Sequence, residues 1–284
     1  MILRSVAYLA LTGAVLTPTA MAHAARSVRI VASPSSVALR YHYVAGQGYG
    51  YKLTVTGRAH VVGLGAAGAP ASATSTSATI RYRIVSVDAS GTATADVATS
   101  AISIKMTTNG QTRTVTSAAR TQRLLLGADG SQRGSVSSAA GSISVQSLGT
   151  LPPGAGSIKV GDVWSSKATV ALPSSLGLSL KPFSVITHYK LKDVSAQGGN
   201  VIATIETNSN SPFKVDTTVQ GTAVSLNLRQ VTTGTILFDA TAGQLVSSKA
   251  RQILHLSIGQ GGTSAGGGAL INEDITSDTS LTRL

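Results

Sequence analysis

The 284-residue chain has no cysteine. That excludes disulfide bridges, thiolate metal sites and a lipid-modified N-terminal Cys. Acids are scarce, with 11 Asp and Glu against 23 Lys and Arg, and none comes before Asp88. No carboxylate group resembles a calcium loop; Glu273, Asp274 and Asp278 are too few. Aromatic residues make up 4% of the chain. No aromatic RNA-binding motif or recognition fold occurs, so nucleic acid is not an expected partner. Strong helix formers on a 3.6-residue period are missing. Beyond the N-terminal segment, no apolar run approaches the roughly 20 residues of a transmembrane helix.

The N-terminus reads as a secretory signal peptide. Met1 to Arg4 give a positive start, and Ser5 to Leu16 are uncharged and mostly apolar. Thr17-Pro18-Thr19 breaks any helix, and Ala22-His23-Ala24 matches the small-x-small cleavage pattern. Cleavage is expected after Ala24, with Ala20-Met21-Ala22 as the second choice. The protein is then periplasmic or secreted, and residues 1–24 are absent from its mature form. Residues 25–149 carry 12 Lys and Arg against 3 Asp, and residues 150–284 carry 10 against 8 acids. A basic exported protein is drawn to anionic polymers and membrane surfaces.

What fills the chain is Ser, Thr, Val, Ala and Gly in period-2 segments, the signal of β-strands. Tyr51 to Thr56, Ile80 to Val87, Ile102 to Met106, Val201 to Ile205, Val224 to Leu228 and Ile253 to Ile258 all alternate. Turn residues separate them at Asn109-Gly110, Asp129-Gly130, Gly198-Gly199, Gln220-Gly221 and Ala242-Gly243, where positive φ suits tight hairpins. Leu270 to Leu284 alternates weakly and could return to the sheet. The fold class is therefore all-β, with antiparallel curved sheets packed as a sandwich or partly open barrel.

A weak internal duplication is legible. Gly46, Tyr49 and Leu53-Thr54-Val55 match Gly161, Trp164 and Ala168-Thr169-Val170. Arg81-Tyr82-Arg83-Ile84 with Gly91 matches His188-Tyr189-Lys190-Leu191 with Gly198. Leu124-Leu125, Gly130 and Ser135 match Leu237-Phe238, Gly243 and Ser248. The blocks keep their order. They divide the mature chain into repeats 25–149 and 150–284, as two domains or one continuous domain. Leu151-Pro152-Pro153-Gly154-Ala155-Gly156 joins them.

The run Leu151-Pro152-Pro153 … Ile158-Lys159-Val160-Gly161-Asp162-Val163-Trp164 resembles a phrase of uncharacterised secreted bacterial β-proteins. Phe238-Asp239 … Gly243-Gln244-Leu245-Val246-Ser247-Ser248 is similar to a second phrase of that group. The resemblance implies a fold and no activity. A looser likeness, resting on export and β-richness, is to periplasmic lipoprotein and lipid carriers.

Three motifs with possible chemistry each have a plainer reading. Gly63-Leu64-Gly65-Ala66-Ala67-Gly68 spells a dinucleotide fingerprint with Asp88 downstream. It is followed by Ala, Pro, Ser and Thr with no apolar helix face, so a hairpin loop is expected and no cofactor. Ser211-Pro212-Phe213-Lys214 matches Ser-x-x-Lys, which needs a helix that this Pro-containing segment does not suit. His42, His60, His188 and His255 show no ligand spacing, so no metal is expected.

The densest cluster is Arg40-Tyr41-His42-Tyr43-Val44-Ala45-Gly46-Gln47-Gly48-Tyr49-Gly50-Tyr51-Lys52. As a hairpin centred on Gly46, it would set Tyr43 against Tyr49 and Tyr41 against Tyr51 on one face. Arg40 would then oppose Lys52 on the other. The tyrosines are then either core or an aromatic platform. Arg81 and Arg83 share one face of a strand and could form a basic strip with Arg113, Arg120 and Arg123. The candidate ligand residues are thus Tyr41, Tyr43, Tyr49, Tyr51, Arg40, Lys52, Arg81 and Arg83, facing an anionic glycan, polymer or lipid. The leading expectation is a non-catalytic cell-envelope protein with a binding or structural role. The alternatives are a carrier with an apolar ligand between sheets and an unrecognised hydrolase.

Overall fold

The structure, a computed structural model, describes residues 35–63, 72–108, 110–135, 151–152, 156–170, 183–219, 222–260 and 269–284. The expected signal peptide, Leu64 to Gly68 of the glycine run and Pro153 to Ala155 of the linker lie outside them. The chain from Ser33 to Leu284 forms one compact unit.

Alternating β-branched and small polar residues produce strands throughout, and no helix occurs among the described residues. Strands β2 (Gly48–Gly63), β3 (Ser72–Val87), β4 (Ala93–Thr99), β5 (Ile102–Thr108), β6 (Gln111–Ser117), β7 (Arg120–Leu126) and β8 (Gln132–Ser135) come from the first half. The second half supplies β10 (Val163–Val170), β11 (Phe183–Gln197), β12 (Asn200–Val219), β13 (Thr222–Asp239), β14 (Gln244–Gln260) and β15 (Ala269–Arg283). All thirteen join one open antiparallel sheet in the order β10-β11-β12-β13-β14-β15-β2-β3-β4-β7-β8, with β5 and β6 branching from β3. A separate two-stranded pair joins β1 (Ser36–Ala38) to β9 (Ser157–Lys159). The weakly alternating C-terminal segment returns as β15, between β14 and β2.

The two halves use matching registers. Tyr49 faces Tyr82 and Trp164 faces Tyr189 across the corresponding strand pairs. The register slips between Ile84 and Ser86 in one half and between Leu191 and Asp193 in the other. The Gly46 amide donates to the Ile84 carbonyl, and the Gly161 amide to that of Leu191. Beyond the turns, Leu124 and Leu126 are buried as Ile236 and Phe238 are. In the first half the long strand is broken at Ser100-Ala101 into β4 and β5, whereas β12 runs unbroken.

One face of the sheet carries the core. Tyr49, Tyr51, Ile80, Tyr82, Ile84, Val97, Leu124 and Leu126 pack in one cluster with Tyr189, Leu191, Val194, Ile205, Ile236, Phe238 and Leu245. Burying each large side chain contributes roughly 1.5–3 kcal/mol. Val37, Leu39 and Tyr41, preceding β2, join the same cluster. The segment is held at both sides, with the Tyr41 amide on the Ala128 carbonyl (2.8 Å) and the His42 amide on that of Gly243 (3.0 Å).

The tyrosine hairpin expected around Gly46 does not form. Val44 to Gln47 do make a tight turn (Gln47 N to Val44 O, 3.1 Å) with Gly46 at φ 83°. A strand has only two hydrogen-bonding edges, however, and both edges of β2 are taken. Tyr51 pairs with Ile80 on one side and Arg283 on the other. Residues 39–44 therefore cross the core without pairing to β2. Lys52 lies between Thr79 and Thr282, while the Arg40 guanidinium donates to the Ser90 carbonyl at 2.8 Å. The like charges are never opposed.

Candidate functional site

Strand alternation divides the candidate residues into two groups. Tyr49 and Tyr51 of β2 point inward and are 8% and 4% exposed. Tyr41 stacks on Tyr43 (5.6 Å between centroids) and meets Phe238 edge-on (5.1 Å), and Tyr51 meets Tyr82 edge-on (5.9 Å). The rings are core, and no open aromatic platform is presented. Burial raises the hydroxyl pKa of Tyr41, Tyr43 and Tyr82, and of Tyr51 to about 12. For Tyr51 the nearby Arg283 partly opposes that rise.

The β2 residues that alternate with those tyrosines face outward. On β2 these are Gly48 and Gly50, opposite Arg83 and Arg81 of β3. The next strands continue the two rungs: Arg83 faces Asp96, which faces Arg123, and Arg81 faces Ala98, which faces Thr121. Two bare glycines beside two long cations leave an open trough of about 710 Å³. Leu284 forms a lip beside Gly50. Asp96 holds Arg123 through two hydrogen bonds of 2.7 and 3.0 Å. Those bonds lower the Asp96 carboxyl pKa and raise that of Arg123, and the charge of Arg83 adds to the lowering at Asp96. Arg81 and Arg83 are exposed and form no ion pair among the described residues.

The corresponding positions of β10 and β11 carry different residues. There Val163 and Ser165 stand where Gly48 and Gly50 do, opposite Lys190 and His188. Glu206 faces Lys190 and bonds Lys192 at 2.5 Å. The five-arginine strip is also only partly assembled. Arg123 joins Arg83 through Asp96. Arg120 pairs with Thr99, which pairs with Ile80, placing it on the other face. Arg113 lies on that same face, through Met106 and Thr74. Tyr41, Tyr43, Arg40 and Lys52 line no part of the trough, whose wall does include Tyr49.

Other chemistry is not assembled among the described residues. Ser211 is buried while Lys214 is exposed and pairs with Asp216. Residues three apart on a strand point to opposite faces, so the Ser-x-x-Lys pair never meets. Pro212 is accommodated because β11 pairs with β12 only as far as Ser209. Gly63, the first glycine of the run, ends β2, and the next described element is its antiparallel neighbour β3. His255 bonds Asp274 at 2.6 Å on the exposed face, but the adjacent Ser257 hydroxyl donates to Asn272. Among the described residues, no group of three or more His, Asp or Glu could hold a metal ion. The signal that sequence reasoning missed was Gly48 and Gly50 at alternate positions, which has meaning only once β2 is known to lie beside Arg81 and Arg83. No protein-family model matches the chain, and no curated protein matches it.

Proposed function

We propose that the protein is an exported, non-catalytic envelope protein that holds an anionic glycan in the outer trough of β2 and β3. The observation that carries this reading is the placement of two exposed arginines, Arg81 and Arg83, opposite two side-chain-free positions, Gly50 and Gly48. Guanidinium groups bind carboxylates and sulfates bidentately, and the glycines let a flat chain approach the backbone. The wall mixes apolar surface from Ala98, Leu284 and the glycines with the charged groups of Arg81, Arg83 and Asp96, a combination that offers an anionic sugar chain both flat contact and cation anchors. A cavity walled by Tyr41, Tyr43, Tyr49, Tyr51 and Tyr82 measures about 20 Å³, which is water-sized rather than lipid-sized.

The signal segment and the basic charge of the first half agree with this role. The matched registers of the halves support an internal duplication in which the paired glycines Gly48 and Gly50 belong to the first copy, with Val163 and Ser165 at the matching positions of the second. The kinship to secreted bacterial β-proteins suggested by the Leu151 to Trp164 phrase belongs to the same reading.

Titrating the protein with polygalacturonate tests the site, with neutral dextran as control. Arg81→Ala with Arg83→Ala is expected to weaken binding about tenfold or more, and Arg113→Ala only slightly. Binding that is unchanged in the double variant would place the glycan elsewhere.

A further inference from the structure

Three buried polar atoms lack a hydrogen-bond partner among the described residues: Tyr43 Oη, Tyr82 Oη and Gln244 Oε1. They come from the segment before β2, from β3 and from the first residue of β14. All three residues line one cavity of about 20 Å³. Ile84 and Leu126 supply apolar wall beside them. The neighbouring hydroxyls are already used, because Tyr49 donates to Gln47 Oε1 at 2.7 Å and Tyr51 to the Leu245 carbonyl at 3.4 Å.

Native cores seldom leave even one such group unpaired, and three on residues that line one cavity call for a shared partner. The donors and acceptors determine what it is. Two phenol O–H groups need acceptors, and one amide oxygen needs a donor. A single water accepts twice and donates at least once, which makes the three hydrogen bonds typical of a buried water. The cavity exceeds the ~10–15 Å³ that one water requires and is far too small for a sugar ring. We propose that it is the binding site of one resident water, bridging Tyr43 Oη, Tyr82 Oη and Gln244 Oε1.

The bridge has a structural consequence. Gln244 follows Gly243, whose carbonyl takes the His42 amide. The water therefore extends an existing contact between the segment leading into β2 and the second half. It ties the start of β14 to β3 through hydrogen bonds that the sheet ladder does not supply.

A crystal structure at high resolution tests this directly. The expected result is a solvent peak within about 3.2 Å of all three oxygens. In solution, Tyr43→Phe and Tyr82→Phe should each shift the unfolding equilibrium by about three- to tenfold. Their effects should not add, because either change removes a partner from the same water. Both variants keep the ring and should fold. A cavity with no solvent peak, hydroxyls bonded directly to protein atoms, or additive effects of the two substitutions would each overturn the proposal.

Discussion

Tyr41 contributes to the core from outside any strand. Its ring lies between Tyr43 and Phe238, and its amide ties the chain to Ala128. Tyr41→Ala should therefore cost about 3–5 kcal/mol, like other large aromatic truncations, and urea denaturation would measure it. The buried phenols also set an alkaline limit. Tyr41, Tyr43, Tyr51 and Tyr82 have raised folded pKa values, mainly because burial disfavours the phenolate. A raised folded pKa gives stability that is complete below the unfolded value near 10 and is lost as pH climbs through the folded value. The melting temperature should hold up to about pH 10 and then fall steeply. Phenolate absorbance should show these tyrosines ionising together with unfolding. Normal titration of every tyrosine in a still-folded protein at pH 11 would contradict their burial.

At the level of strands, much of the architecture is legible in the chain. The alternation at Ile80 to Val87 and Val201 to Ile205 becomes β3 and β12, and the Gly130, Gly198 and Gly243 turns all take positive φ. The partner of each strand is less legible. The symmetry of the four tyrosines about Gly46 suggested a local hairpin, yet β2 is claimed by β3 and by β15, more than 200 residues away. Strand pairing is decided by non-local packing, which a local pattern does not encode. The break at Ser100-Ala101 is also hidden, since neither residue is a Gly or Pro. There the Ser100 hydroxyl accepts the Thr79 amide and the Ser100 amide donates to the Thr79 carbonyl. The glycines of the trough belong to this scale as well. A Cβ on Gly48 or Gly50 meets nothing closer than 3.4 Å, and neither glycine has positive φ. Gly48→Val with Gly50→Val should thus fold at least as stably, because Val favours strands. The same change should fill the trough and weaken polygalacturonate binding, as isothermal titration would show. Full affinity in a folded double-Val protein would exclude the trough as the binding surface.

For the whole molecule, β15 is the junction. It is the last strand of the second half and pairs with β14 on one edge and β2 on the other, so a single sheet runs through both halves. The core is shared too, with Ile84 and Leu126 in the same cluster as Leu191 and Phe238. Two halves that share a sheet and a core should unfold as one cooperative unit. The chain carries its own reporter. Trp164, the only tryptophan, sits in the second half stacked on Tyr189 at 5.4 Å. Ile84 lies in the first half and is 1% exposed, so Ile84→Ala should cost about 2–5 kcal/mol. For a domain of this size that lowers the melting temperature by about 5–20 °C. The Trp164 fluorescence midpoint should drop by the same amount as the far-UV circular dichroism midpoint, although the substitution lies in the other half. A Trp164 transition that stays where it was while the dichroism splits in two would mean that each half holds its own fold. In that case β15 would link two independent units rather than complete one.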